Sequence, residues 1–368
     1  MLARSRRITL GGIEIETPLL VPAISSKALG PVELGLGANK SPQVIPASQV
    51  HTDILIPRIS EAVLLSAYDI HHRFIADAGA FQKGFRSSTY ARIKVIFIDS
   101  GWYEKSVGLV SGQWYHEVGG QSLPFEIEDY IRLIDKLDSH VPAVLVSWDA
   151  PATAKVRPGG RPDRQRPTYY GQIEAAQDFF GARIRFSSNL ILKPPRTRRY
   201  HKFAELAEAD AARLRAFDVV GVTEKELGES LRDRLTSLAH LRTVMDKADA
   251  TAPIHVFGGL DPLITPLYVA VGAEIFDGLS WLRYGFRDGL SVSAENASLL
   301  EHASSRRFEE SVSHMQLNNL SALEQLVDEL KVFIDKGCDW SKLRHGEHDL
   351  RPAYEAFEAA QGSGTYGR

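Results

Sequence analysis

The chain has 368 residues, of which 44% are hydrophobic and 24% are charged, with 43 Lys and Arg against 46 Asp and Glu. This composition is typical of a globular protein and excludes the disordered, collagen-like and coiled-coil classes. Cys338 is the only cysteine, which excludes an intrachain disulfide and a cysteine-rich zinc site and favours a reducing compartment. Because the sequence has neither a secretory signal nor an apolar run near the roughly 20 residues of a membrane helix, we expect a cytoplasmic protein without membrane contact.

Short apolar, β-branched segments recur along the chain and predict buried strands. They are nearly continuous in apolar character, which is typical of parallel strands covered on both faces. The nine segments are 19–23, 44–47, 63–65, 95–98, 143–146, 190–192, 219–222, 254–257 and 274–279. Helical spacing of apolar residues between them is found at 127, 131, 134 and 137, at 203, 206 and 214, and at 227, 231, 235 and 238.

Alternation of strand and helix leads either to an open doubly wound sheet or to a closed barrel. The alternating region supplies the roughly 250 residues that a barrel needs, and no GxGxxG follows the first strand. The predicted fold class is therefore α/β, a (β/α)8 TIM barrel with an N-terminal β-hairpin and a C-terminal helical extension. The predicted domains are a hairpin over 1–16, the barrel over 17–300, a helical extension without a zinc site over 301–345, and a C-terminal helix with a flexible tail over 346–368.

Three carboxylates follow apolar segments, at the positions where a barrel collects its reactive groups. They are Asp99, Asp149 and Asp277. Any one of them is equally well explained as a helix N-cap or a loop hydrogen-bond acceptor. Three carboxylates over one barrel mouth suit chemistry at an acetal-like carbon, where one forms a covalent glycosyl ester and another protonates the departing group.

A competing interpretation is a metal site built from these carboxylates and a histidine. The candidate histidines are His71, His72 and His255. No HxH or HExxH spacing accompanies them, which disfavours a metal. We therefore predict neither a metal ion nor a cofactor.

Two clusters of basic residues follow the Asp149 strand and the strand after it. The first contains Arg157, Arg161, Arg164 and Arg166, and the second contains Lys193, Arg196, Arg198 and Arg199. In a chain with a net charge of -3 they indicate a local positive field over the barrel mouth, as expected for binding a nucleic acid. The alternative is a solvated surface without a partner.

Several segments, taken in order, resemble motifs of the tRNA-guanine transglycosylase family. Residues 97–104 (FIDSGWYE) resemble its DSGG(F/Y)Q segment, and residues 272–283 (GAEIFDGLSWLR) resemble its GxDxFDxxxPxR segment. Residues 146–149 are similar to its Phe-Asp element, and residues 217–226 and 254–259 to two of its glycine-containing strands. Residues 13–22 resemble its opening hairpin and strand. Each motif is short, and the specificity of the resemblance comes from their order and spacing over residues 8 to 290.

The resemblance implies a base exchange in which a 7-deazaguanine replaces a guanine of a nucleic acid. Asp277 would attack C1′ and form a covalent Asp-glycosyl intermediate, while Asp99 would be the general acid and base. The resemblance also implies a substrate-binding set composed of Ser100, Tyr103, Asp149, Gly221, Val222, Phe257, Gly258 and Arg283. Within it, Asp149 would hydrogen-bond the N1/N2 edge of the base, and Tyr103 and Phe257 would sandwich the ring.

The sequence departs from the family most plainly at the zinc site, whose cysteine ligands have no counterpart. Lys193 also stands where a Gln-Gly element is expected, and Trp102 replaces a glycine. These departures indicate a paralogue that lacks the zinc site, of the DNA 7-deazaguanine transglycosylase type, and they leave DNA and tRNA open as the polymer. A homodimer and partners from a modification complex are also left open. The alternative functions are a nucleoside or nucleotide N-glycosidase, in which water resolves the Asp277 ester, and a non-catalytic nucleic-acid-binding subunit.

Overall fold

Eight parallel strands close into a barrel in the computed structural model, which confirms the predicted fold class. The structure describes residues 1–25, 31–34, 43–46, 61–72, 93–107, 123–149, 167–195, 198–293, 296–297, 299 and 308–362. The strands are β1 (Arg7–Leu10), β2 (Ile13–Glu16), β3 (Leu19–Ile24), β4 (Pro31–Leu34), β5 (Gln43–Pro46), β6 (Ala62–Ser66), β7 (Val95–Asp99), β8 (Ala143–Val146), β9 (Ser187–Leu192), β10 (Val219–Thr223), β11 (Ile254–Phe257), β12 (Ile275–Gly278), β13 (Tyr284–Arg287) and β14 (Leu290–Ser293).

Helices follow most of the barrel strands and cover the barrel from outside. The α-helices are α1 (Ala67–His71), α2 (Trp102–Val107), α3 (Ile127–Asp135), α4 (Tyr169–Gly181), α5 (Glu208–Arg213), α6 (Glu224–Leu227), α7 (Leu231–Lys247), α8 (Thr265–Ala270), α9 (Ser280–Arg283), α10 (Phe308–Asp335) and α11 (Arg351–Gly362). Within the described residues, none of these helices is long and apolar enough to cross a bilayer.

The barrel strands follow one another around the barrel in the order in which they occur in the chain. The sequence of neighbours is β3, β6, β7, β8, β9, β10, β11 and β12, and β12 pairs with β3 to close the ring. The predicted strand over 44–47 is the exception, because β5 pairs antiparallel with β4 in a separate two-stranded sheet. The prediction of a parallel strand there was wrong, since an apolar segment indicates a strand but does not identify its partner.

Successive side chains of each barrel strand point alternately into the barrel and outward to the surrounding helices. Val21, Phe97 and Val146 belong to the core inside the barrel, whereas their neighbours along the strands pack against the surrounding helices. Covering both faces explains why these strands are apolar without alternation.

The N-terminal hairpin closes the amino-terminal end of the barrel. β1 and β2 pair antiparallel with Leu10 opposite Ile13, and Leu10 and Ile15 are buried in the inner core. Gly11 has a φ of +56° and lies so close to the residue before β8 that a Cβ would come within 2.6 Å of the Pro142 carbonyl carbon. The candidate site lies at the opposite end of the barrel, at the carboxyl ends of the strands.

The C-terminal part is helical, as predicted, and α10 lies within the expected helical extension over 301–345. Asn319 connects this helix to the segment that follows β12. Its Oδ1 accepts a hydrogen bond from Phe286 N at 2.6 Å, and its Nδ2 donates to the carbonyl oxygens of Trp281 and Tyr284, both at 2.6 Å. The helical extension therefore supports the chain directly after the Asp277 strand.

Candidate active site

The three carboxylates predicted from the sequence lie at the carboxyl end of the barrel. Asp99 is the last residue of β7, Asp277 lies within β12, and Asp149 follows β8 by three residues. Burial raises the pKa of Asp99 well above its ordinary value, and the negative charges of Asp149, Glu104 and Asp277 raise this pKa further. Asp99 therefore holds a proton more readily than an ordinary carboxylic acid, which suits a group that donates one.

Asp277 is buried, and its two carboxylate oxygens have different surroundings. Oδ1 lies 3.1 Å from His255 Nε2 and accepts a hydrogen bond from Gly258 N at 3.2 Å. Gly258 has a φ of +77°, in the left-handed region that favours glycine, and this conformation directs its N–H to Oδ1. Within the described part of the chain, Oδ2 receives no hydrogen bond, so it is the oxygen available for attack.

Asp149 is held through both of its oxygens. Ser100 Oγ donates to Oδ1 at 2.7 Å, and Lys193 Nζ lies 3.1 Å from Oδ2. Lys193 also donates to Thr223 Oγ1 at 2.7 Å and lies 3.4 Å from Glu226 Oε2. Its side chain is only 12% exposed, so it lies inside the site, although the sequence groups it with the phosphate-binding residues.

A cavity of about 220 Å³ lies beside this network, between the ends of β8 and β9 and helix α4. Trp148 and Phe179 contribute aromatic walls, and Asp149, Lys193 and Gln172 contribute polar atoms. Gln172 is fixed by two hydrogen bonds with the Lys193 backbone, at 2.8 and 2.9 Å. The carboxylate of Asp149 thus borders a cavity that has both an aromatic wall and polar atoms.

A fourth carboxylate, which the sequence did not single out, lies next to Asp99. Glu104 on α2 is buried and accepts hydrogen bonds from Ser25 Oγ and Ser66 Oγ, both at 2.7 Å. Ser66 pairs with Asp99 across β6 and β7, which places Glu104 behind Asp99. Burial and the nearby charge of Asp69 raise the pKa of Glu104 to about 7.

The remaining members of the predicted substrate-binding set differ in their surroundings. Phe257 stacks on His255 with ring centroids 3.9 Å apart, and Gly221 lies beneath the Phe257 ring. Val222 packs its buried side chain into the core between the barrel and the surrounding helices, so only its backbone can contribute to the site. Tyr103 is half-buried with Lys225 Nζ 5.8 Å from its ring centroid, and Arg283 at the end of α9 is exposed.

The predicted basic clusters are only partly within the described residues. Arg157, Arg161, Arg164, Arg166 and Arg196 lie outside them. Arg198 is ion-paired with Glu205 at 2.5 Å, and Arg199 is exposed with its guanidinium 5.0 Å from the Tyr200 ring centroid.

The histidine alternatives lie in different places. His255 contacts Asp277, whereas His71 lies 3.9 Å from Asp129 on the outside of the barrel. Among the residues whose placement is described, no group of three or more His, Cys, Asp and Glu side chains is arranged to hold a metal ion. His255 is thus a hydrogen-bond partner of the carboxylate.

The sequence matches no protein-family model and no curated protein sequence.

Proposed function

We propose that the protein is a base-exchange transglycosylase that replaces guanine in a nucleic acid by a 7-deazaguanine through a covalent ester on Asp277. One observation carries the proposal. A carboxylate with one unoccupied oxygen, Asp277, shares the barrel mouth with a carboxylic acid, Asp99, whose pKa is raised by burial and by neighbouring charges. Nucleophile and acid are the two groups that a displacement at a glycosidic carbon requires.

In the first half of the reaction, Asp277 Oδ2 attacks C1′ of the target nucleotide. The C1′–Oδ2 bond forms as the bond from C1′ to the base breaks, and the electron pair of that bond leaves with the base. Asp99 supplies the proton that makes the departing guanine neutral. The burial that raises the pKa of Asp99 is therefore useful, because an ionised Asp99 could not donate.

Base recognition is assigned to Asp149. A carboxylate offers about four lone-pair positions, and Ser100 and Lys193 occupy two of them. The remaining positions can accept the N1–H and the N2–H of a guanine-type edge. Adenine has no N2 amino group and presents an acceptor at N1. The lone pair on its N1 would therefore face a lone pair of the carboxylate. This arrangement supports guanine and 7-deazaguanines as the exchanged bases.

In the second half, the incoming base loses its proton to Asp99 and attacks C1′, and the carboxylate of Asp277 leaves. Two displacements at one carbon retain the configuration of the sugar. The target nucleotide must leave its stack to reach the barrel mouth, and the exposed Arg199 and Arg283 are the residues that we assign to its phosphates.

The test is incorporation of radiolabelled guanine into DNA and, separately, into tRNA. We expect label in one polymer with the wild-type protein, and a loss of at least ~1000-fold in Asp277→Ala and Asp99→Asn. Asp178→Asn, at an exposed carboxylate of α4, is the matched control and should retain the wild-type rate. Free guanine released without incorporation would contradict exchange and support the N-glycosidase. Nucleic-acid binding with neither incorporation nor release would support the non-catalytic subunit.

A further inference from the structure

We propose that Asn189 and His255 are positioning residues that determine which oxygen of Asp277 attacks and how easily the resulting ester is cleaved. The inference rests on the proposed function, because it takes Asp277 as the nucleophile. It starts from a chain of hydrogen bonds across three strands. Asn189 Nδ2 on β9 lies 2.8 Å from His255 Nδ1 on β11, and His255 Nε2 lies 3.1 Å from Asp277 Oδ1 on β12.

The Asn189 amide determines the tautomer of His255. An amide nitrogen only donates, so the imidazole Nδ1 facing it is an acceptor. A neutral ring that accepts at Nδ1 carries its proton on Nε2 and donates it to Asp277. With the amide turned over, Asn189 Oδ1 would face Nδ1. The ring would then need a proton on both nitrogens to donate to Asn189 and to Asp277 at once. Both Asn189 and His255 are fully buried, and in this orientation Asn189 Oδ1 has no hydrogen-bond partner among the described residues.

Gly221 provides the space that this chain needs. It lies on β10, between the two strands that carry Asn189 and His255, and is paired with His255. A Cβ at Gly221 would lie 3.0 Å from Asn189 Oδ1 and 2.4 Å from Phe257 Cε2. Only glycine lets the Asn189 amide pass across β10 while Phe257 stacks on the imidazole ring.

The two donors on Oδ1 assign different tasks to the two oxygens of Asp277. His255 Nε2 and Gly258 N point at Oδ1, which leaves Oδ2 to form the bond with C1′. After the attack, Oδ1 becomes the carbonyl oxygen of the ester. When the incoming base attacks, the C1′–Oδ2 bond breaks and its electron pair returns to the carboxylate. Donors aimed at Oδ1 stabilise that developing negative charge, so they speed the second displacement.

Removal of the His255 N–H donor should therefore slow cleavage of the Asp277 ester more than it slows formation of the ester. His255→Phe keeps a ring that can stack on Phe257 but lacks the N–H, and His255→Gln keeps one donor in a side chain without the ring. Asn189→Leu tests the other end of the chain, because it removes the group that fixes the tautomer. His240→Phe, on the outer helix α7, is the matched control.

The experiment measures label exchange, the melting temperature and the fraction of protein that carries a covalent nucleotide after acid quenching. For His255→Phe we expect exchange to fall ~100-fold while the adduct fraction rises above that of the wild type. His255→Gln should recover at least ~10-fold of that loss in exchange. Asn189→Leu should change exchange and the adduct fraction in the same direction as His255→Phe. His240→Phe should match the wild type in both measurements.

A His255→Phe protein that exchanges at the wild-type rate, or that loses exchange without a rise in the adduct fraction, would overturn the inference and leave the proposed function intact. If His255→Phe melts below the assay temperature, Asn189→Leu and His255→Gln decide by the same two readouts. Absence of exchange and adduct in the wild-type protein itself would instead reject the proposed function.

Discussion

Hydrogen bonds and burial give each carboxylate at the barrel mouth a different role. Asp99 has few donors and several negative neighbours, so its pKa rises. Asp277 has two donors on one oxygen, Asp149 has a hydroxyl and an ammonium group, and Glu104 has two serine hydroxyls. In the proposed reaction, aspartates would thus supply the acid, the nucleophile and the acceptor of the base edge, because their environments differ.

Lys193→Met tests whether this lysine belongs to the base site or to a phosphate site. Because Lys193 supports Asp149 from within the site, we expect kcat/KM for exchange to fall by ~10- to 100-fold while the affinity for the nucleic acid and its salt dependence stay unchanged. Lys202→Met on the surface is the control. A uniform loss of nucleic-acid affinity with a shallower salt dependence would mean that Lys193 contacts phosphate, as the sequence indicates.

Glu104→Gln should stabilise the protein at alkaline pH. The pKa of Glu104 is raised from 4.5 to about 7 in the folded state. The folded protein therefore binds a proton that the unfolded chain releases, and wild-type stability is lost as the pH rises through this range. Glutamine avoids the loss, and the serine hydroxyls can turn to accept its N–H. We expect equal unfolding free energies at pH 4 and an advantage of up to about 3 kcal/mol for Glu104→Gln at pH 8, measured by denaturant titration. An advantage independent of pH would contradict this assignment.

The carboxylates could be predicted from the sequence because each lies at or near the carboxyl end of an apolar segment. Asn189, His255 and Glu104 as a buried acid could not, because their roles depend on lateral contacts between strands that are distant in the chain. A usable signal existed for two of them. Asn189 and His255 are polar residues at inward positions of strands that are otherwise apolar, and a buried polar side chain requires a partner.

At the scale of elements, strands β9, β10 and β11 form the part of the barrel on which the site depends. Gly221→Ala should disturb it, because the new methyl group would overlap Phe257 and press on Asn189. We expect exchange to fall by ~10- to 100-fold, with a loss of about 1–3 kcal/mol in the unfolding free energy. Gly181→Ala, where a Cβ would meet no other atom within 4 Å, should be neutral in both measurements. Equal behaviour of the two variants would show that the close packing is dispensable.

The elements themselves were largely predictable, and their pairing was not. Eight of the nine apolar segments became barrel strands. The predicted N-terminal hairpin is also present, with Gly11 and Gly12 supplying the two positive φ angles of its turn. The segment 44–47 has the same local character but pairs with β4 outside the barrel. Local composition determines whether a strand forms, whereas its partner depends on contacts along the whole chain.

At the scale of the whole molecule, the two ends of the barrel have separate tasks. The hairpin closes one end with apolar side chains, and the polar network occupies the other. The net charge of -3 is an average over the chain, and Arg199 and Arg283, which follow β9 and β12 in the sequence, are exposed.

Arg199→Ala and Arg283→Ala should each weaken nucleic-acid binding in the same way for all sequences. If each arginine contacts one phosphate, the slope of log K against log salt should become shallower by about 1 per substitution in a titration of labelled oligonucleotide. Arg351→Ala on α11, where the guanidinium is paired with Glu355, should leave the slope unchanged. An unchanged slope in all three variants would place the phosphate contacts elsewhere.

The most direct test of the account is to locate the covalent intermediate. Protein incubated with the exchanging polymer and quenched in acid would be digested with nuclease and protease, and the modified peptide identified by mass spectrometry. We predict a nucleotide ester on the peptide that contains Asp277, which is absent in Asp277→Ala. An ester on another carboxylate, or exchange of guanine without any ester, would contradict the assignment of Asp277 as the nucleophile.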